Sequence, residues 1–134
     1  MEQFLTEMIR ALQQNRKLSG FDIGHSPSEK VCEYPLERPV VRLGRKKTEA
    51  GFLLGSENLL VEENVLEVTV LTDDKQGAAF CDHCAEEVCR AVLDEDVERR
   101  ITSAYVEGAM YEKQSFAYKV IMSFRCRECA GQNI

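Results

Sequence analysis

The segment NVLEVTVLTDD, from Asn64 to Asp74, constrains the fold more than any other part of the chain. Val65, Glu67, Thr69 and Leu71 fall on one side of an extended backbone, and Leu66, Val68 and Val70 on the other. β-Branched residues at this density, in period-two spacing, specify a strand buried on at least one face. Such a strand needs neighbours in a sheet and a covering layer, which the rest of the chain must supply.

A cover is legible on both sides of it. Phe4, Leu5, Met8, Ile9 and Leu12 recur at helical spacing, with acids early and Arg16 and Lys17 late, as the helix dipole favours. They predict an amphipathic helix over 2–17. A second helix is expected over 76–94, capped by Asp73 or Asp74, with Ala78, Cys81, Ala85, Val88 and Val92 turned inward. Asp82, Glu86, Glu87 and Arg90 then take its outer face.

Between the first helix and the long strand, LSGFDIGHSPSEKV holds two Gly, one Pro and three Ser. It reads as a loop from which Phe21 and Ile23 turn back onto the core. The stretch from Lys30 to Leu43 reads as extended, with Pro35 and Pro39 placing its pairing at a sheet edge or bend. PVVRLGRKKTEAGF follows as a strand, a basic turn and a return, which makes a hairpin over 44–58. Two more strands are expected, Arg100 to Val106 and Phe116 to Cys126. Consecutive strands rather than strict βα alternation predict one α+β domain over 1–134: a mixed, mostly antiparallel sheet of about four to five strands, with the N-terminal and central helices packed on it. Residues 127–134 are left as a short C-terminal tail.

A chain of 134 residues buries an adequate core without disulfide or metal staples. No apolar run approaches the roughly 18 to 20 residues that cross a bilayer, so no membrane partner is expected. The opening MEQFLTEMIRALQQNRK carries acids where an export signal carries bases, which predicts an unexported N-terminus. A net charge of −6 argues against nucleic-acid binding, which draws on clustered Lys and Arg. Arg42, Arg45, Lys46 and Lys47 form a local basic cluster, read either as a solvated loop or as a contact for phosphate or an acidic partner.

Six cysteines raise three readings. Cys81 with Cys84 and Cys126 with Cys129 are C-x-x-C pairs that could together hold one structural zinc. The 41 intervening residues exceed the spacing of about 15 to 20 in compact zinc modules, so the pairs meet only if the last strand ends at the start of the central helix. Redox chemistry is disfavoured, because Asp82, Glu86 and Glu87 oppose a thiolate and no proline follows the motif. Core filling accounts for Cys81, Cys84, Cys89 and Cys126, since reduced Cys packs as a small apolar residue. His25 and His83 stand in no nucleophile constellation, and RLGRKKTEAG lacks the Gly-Lys-Ser/Thr of a P-loop, so no catalytic residue and no resident cofactor is expected.

The whole order resembles the tail-terminator and minor tail proteins of long-tailed bacteriophages and prophages. The N-terminal helix carries the resemblance, with YPLERPVVRLG as a Pro-flanked strand, NVLEVTVLTDD before GAAFCDHCAEEVCRAVL, and ITSAYVEGAMYEKQSFAYKVIMSFRC as a closing hairpin. The resemblance implies a structural part: an oligomeric ring, commonly a hexamer, that caps the tail tube and meets the head connector. It implies assembly in the bacterial cytoplasm and residence in the virion tail. The 44–58 hairpin, with Arg45, Lys46, Lys47, Phe52, Leu53 and Leu54, is the expected contact arm. The cysteines have no counterpart in that family.

Overall fold

The computed structural model describes residues 2–26, 36–50 and 61–127. Its elements are α1 (Glu2–Gln13), a 3-10 turn (Arg16–Leu18), β1 (Asp22–His25), β2 (Val40–Ala50), β3 (Val61–Asp73), a second 3-10 turn (Asp74–Gln76), α2 (Ala78–Glu95), β4 (Ile101–Val106), β5 (Met110–Glu112) and β6 (Ala117–Cys126). The expected α+β class is found, with two helices on a mixed sheet. The sheet has six strands in the order β1-β2-β3-β6-β4, and β5 also pairs with β6. Among the described residues only β1 with β2 is parallel; the other pairs are antiparallel.

The β3 alternation does what its sequence dictates. Leu66, Val68 and Val70 are fully buried, and their partners across β6, Phe124, Met122 and Val120, are fully buried too. Val41 and Leu43 extend the same layer through β2. Phe4, Leu5, Met8 and Leu12 of α1, and Cys81, Cys84, Ala85, Val88, Ala91 and Val92 of α2, close over it as one core. Both helices therefore lie on one face of the sheet.

Four local expectations are corrected. The first helix stops at Gln13 because Asn15 leaves the helical conformation and accepts the Lys17 N–H at 2.9 Å. The polar stretch after it does form an element: β1 is held by Asp22 N–H to Pro39 O and Ser26 N–H to Leu43 O, both 2.8 Å. Phe21 and Ile23 pack on the core as expected. The basic cluster is no turn, since β2 runs unbroken from Val40 to Ala50 in register with β3, ending at Ala50 opposite Val61. Nor does an Asp cap α2. Asp73 accepts the Lys75 N–H of the preceding 3-10 turn, and α2 starts from Gly77, whose φ of 88° is a conformation suited to glycine.

One acid fixes where the last sheet edge begins. Asp96, at the end of α2, accepts the N–H of Arg100 at 2.9 Å and of Ile101 at 2.8 Å, one on each carboxylate oxygen. It turns the chain from the helix into β4. Asp96→Ala should lower unfolding free energy by about 2 kcal/mol, since it leaves two N–H groups of a half-buried turn without acceptors. Urea denaturation would measure this, and amide exchange should quicken first at Arg100 and Ile101.

Candidate functional site

The cysteines are placed by the two ends of α2. Cys81 lies in its first turn, fully buried, with its thiol donating to the Val70 carbonyl at 3.8 Å. Cys84 is one turn on and buried. Cys126 ends β6 opposite Asn64 of β3, six residues along that strand from Val70. At about 3.3 Å per residue this separates Cys126 from Cys81 by about 20 Å, whereas thiolates on one zinc lie within about 4 Å of each other. Cys126 instead neighbours Asp96 and Arg100, beyond the far end of α2. The structure thus brings Cys81 to Cys84 and brings neither to Cys126; Cys129 lies outside the described residues. Among the described residues no three His, Cys, Asp or Glu side chains group as a metal site.

Burial also sets thiol chemistry. It pushes the Cys84 thiol up to about 11, with Cys81 and the Glu87 carboxylate adding to the rise. Burial likewise takes Cys126 up to about 11, against the Leu66 backbone N–H, which favours the thiolate. Cys81 and Cys89 are raised, chiefly by burial as well. All four are neutral thiols at physiological pH, the opposite of an activated nucleophile.

Arg42, Arg45 and Lys46 are strand residues rather than a solvated loop. Arg42 is largely buried, bonding the Asp22 carboxylate at 3.3 Å and the Asp22 and Val41 carbonyls. Arg45 donates to Asn64 Oδ1 at 3.1 Å, and Lys46 stands 3.9 Å from Glu67. β2 and β3 remain paired for three positions past Asn64, the last β3 residue that β6 covers. They therefore leave the sheet as a two-stranded ribbon. Lys47 lies in its β2 strand; Phe52, Leu53 and Leu54 lie outside the described residues.

The feature that sequence reasoning missed is the opposite edge. Every residue of β4 after Ile101 is exposed, although period-two burial would be expected of a strand packed under a helix. Tyr105 is 65% exposed, Met110 54%, Val106 47% and Tyr111 46%. The register puts Val106 opposite Met122 and Tyr111 opposite Tyr118, on the helix-covered face. Tyr105 and Met110 face the other side, opposite Ser123 and Lys119. Phe116 adds a further exposed ring in the left-handed region, φ 50°, where a bulky side chain is strained. The edge is held rigidly: Asp82 accepts the Ala109 N–H at 3.0 Å, and the Tyr111 and Tyr118 rings meet edge to face at 5.5 Å. No signal for this exposure was present in the sequence, since valine and tyrosine suit a buried strand equally well.

A groove of about 350 Å³ runs between α1 and the end of α2, past Phe4, Glu7, Asp96, Val97 and Arg100. Arg100 stacks over the Phe4 ring at 5.3 Å, and both Asp96 oxygens are engaged by the backbone. Gln3, Glu95 and Glu98 also line it, and Glu98 pairs with Arg100 at 3.3 Å.

No protein-family model matches the chain, and no curated protein matches it. Among solved structures, the chain is similar in part to a pyrrolysyl tRNA synthetase, PylSc, from Desulfitobacterium hafniense, at 14% identity and a TM-score of 0.42. The match covers 66% of this chain and 40% of that one, so this chain spans under half of that protein's length. A likeness of this size carries no argument about function. Among the described residues no helix is long and apolar enough to cross a membrane.

The raised thiols predict a pH effect. A folded-state value of about 11 against the ordinary 9.0 means the native state holds the Cys84 proton more tightly than the unfolded chain. That contribution to stability is complete below pH 9 and is lost as pH rises to 11. Urea midpoints measured from pH 8 to 11 should fall less steeply for Cys84→Ala than for the parent.

Proposed function

We propose that this chain is a non-enzymatic structural subunit of a phage or prophage tail, a terminator that caps the tail tube as an oligomeric ring and joins it to the head connector. On this reading it assembles in the bacterial cytoplasm and ends in the virion tail. The observation that carries self-association is the rigid, exposed apolar edge of Tyr105, Val106, Met110 and Tyr111. Aromatic residues and Met gathered on one exposed edge are what protein interfaces enrich, and single proteins rarely leave such a set uncovered. The element order supports the same reading, with a helix, a long ribbon-forming strand pair, a second helix and a closing hairpin in the order of the family resembled.

Native mass spectrometry and light scattering test it. The expected result is a discrete species of several times the 15.2 kDa chain, six copies on the resemblance. A monomer at every accessible concentration would overturn it. Tyr105→Ala with Met110→Ala should weaken association at least about tenfold, as loss of aromatic anchors does. Both side chains are exposed in the single chain, so its unfolding free energy should move by no more than about 1 kcal/mol.

A further inference from the structure

We propose that the β4 edge pairs with the β4 edge of a second copy, antiparallel about a two-fold axis at Tyr105, so that two sheets join into one. This rests on the self-association in the reading above and names the surface that makes it.

The backbone of the edge is complementary to itself. β4 is the terminal strand of the sheet, and among the described residues no strand lies beyond it. Glu107 N–H donates to Ile121 O at 3.1 Å, and Tyr105 lies opposite Ser123 in the same register. Bonded and non-bonded positions alternate along an antiparallel pair, so Ser103, Tyr105 and Glu107 turn their N–H and C=O groups to β6. Ala104 and Val106 turn theirs outward. An antiparallel copy centred on Tyr105 sets Ala104 of each strand against Val106 of the other, and every outward N–H then finds an outward C=O. A centre earlier in the strand would call on Thr102, which lies in the register shift and bonds Arg125 O through its hydroxyl. A later one would call on Gly108, outside β4.

Side chains and charge agree with that centre. Tyr105 meets its counterpart on the open face, and Val106 meets Ala104 of the second copy on the helix-covered face. A helix laid on one face would leave the other in water; an added strand continues both. Residues 101–106 carry no charge, so the copy sets no like charges against each other there. Glu107 falls opposite Ser103, about 13 Å along the strand from the Glu107 of the second copy, beyond a screening length of about 8 Å. The flanking charges are already matched within the chain, Glu98 with Arg100 at 3.3 Å and Glu112 with Lys119 at 3.4 Å.

The test uses the full chain. About this axis the two Cα atoms at position 105 stand about 4.5 Å apart, within reach of a disulfide, and those at position 103 about 13 Å apart. Under mild oxidation Tyr105→Cys should give a reducible two-copy species at least about tenfold faster than Ser103→Cys, with the parent as the control for its own thiols. Equal rates, or no cross-link at position 105 from a chain whose parent assembles, overturn the inference and leave the ring reading standing. Ala104→Pro removes an outward N–H and spares the ladder with β6, so it should keep the parent's circular dichroism and weaken association at least about tenfold. A proline variant that folds and assembles like the parent also overturns the inference; if it does not fold, the cysteine pair decides. An assembly that stops at two copies and cross-links at position 105 supports the pairing and removes the tail cap, whereas a ring of six would hold three such pairs and close through a second surface. A parent that stays monomeric at every accessible concentration discards the pairing and the ring together.

Discussion

Everything in this molecule hangs on the pairing of β3 with β6. These strands lie side by side over ten positions, Asn64–Asp73 against Cys126–Ala117, although the 43 residues from Asp74 to Phe116 lie between them in sequence. Three adjacent pairs, Leu66 with Phe124, Val68 with Met122 and Val70 with Val120, are without solvent exposure and form the floor on which both helices rest. Burying six such side chains is worth on the order of 10 kcal/mol before chain entropy is charged against it, comparable to the whole net stability of a domain. A one-residue slip would turn Glu67 and Thr69 into the core, so the same rows that stabilise the pairing also fix its register.

That register decides what the cysteines can be. α2 crosses the β3–β6 pair with its first turn over Val70 and its end beyond the Cys126 terminus of β6. The Cys81–Cys84 pair and Cys126 are therefore assigned to opposite ends of an 18-residue helix, about 27 Å long at 1.5 Å per residue. Cys81 and Cys84 sit where the helix interface needs small apolar side chains, and the raised thiols record how dry that interface is.

Residues with one strong physical demand were legible in the sequence; those whose conformation depends on a distant partner were not. The period-two rows of β3 and β6 and the 3.6-residue stripes of both helices follow from local spacing, and they appear in the structure within a few residues of where they were expected. β1 was not readable, because its four residues, DIGH, have no strand pattern and gain their conformation from β2, eighteen residues on, with Arg42 tying the two through Asp22. The basic stretch misleads for the same reason. Arg45, Lys46 and Lys47 resemble a turn, but β3 offers a full ladder of partners that carries β2 straight through them. At the candidate site, the exposure of β4 could not be read from its own sequence, since its valine and tyrosine suit a buried strand equally well. What leaves it uncovered is the position of α2, which packs over β3 and β6.

An uncovered edge has consequences for symmetry. Soluble proteins commonly blunt such strands with Lys, Pro or a bulge. Here the register shift of β4 against β6 lies between Ile101 and Ser103, at the start of β4, and leaves the apolar stretch from Ala104 to Val106 regularly paired with β6. The ribbon leaves the sheet from β2 and β3, on the other side of β6 from that edge. A subunit that met its copies through two such different surfaces could not close as a two-fold dimer joined through a single patch. It would form a head-to-tail series, which closes into a ring or grows into a filament according to the rotation from one copy to the next. A strand-addition contact constrains that rotation, because the added strands must follow the twist of roughly 20 to 25° between neighbours in a sheet. The Asp96 and Asp82 bonds hold β4 and its connection to β5 in place, so any contact made at this edge takes the geometry those bonds set.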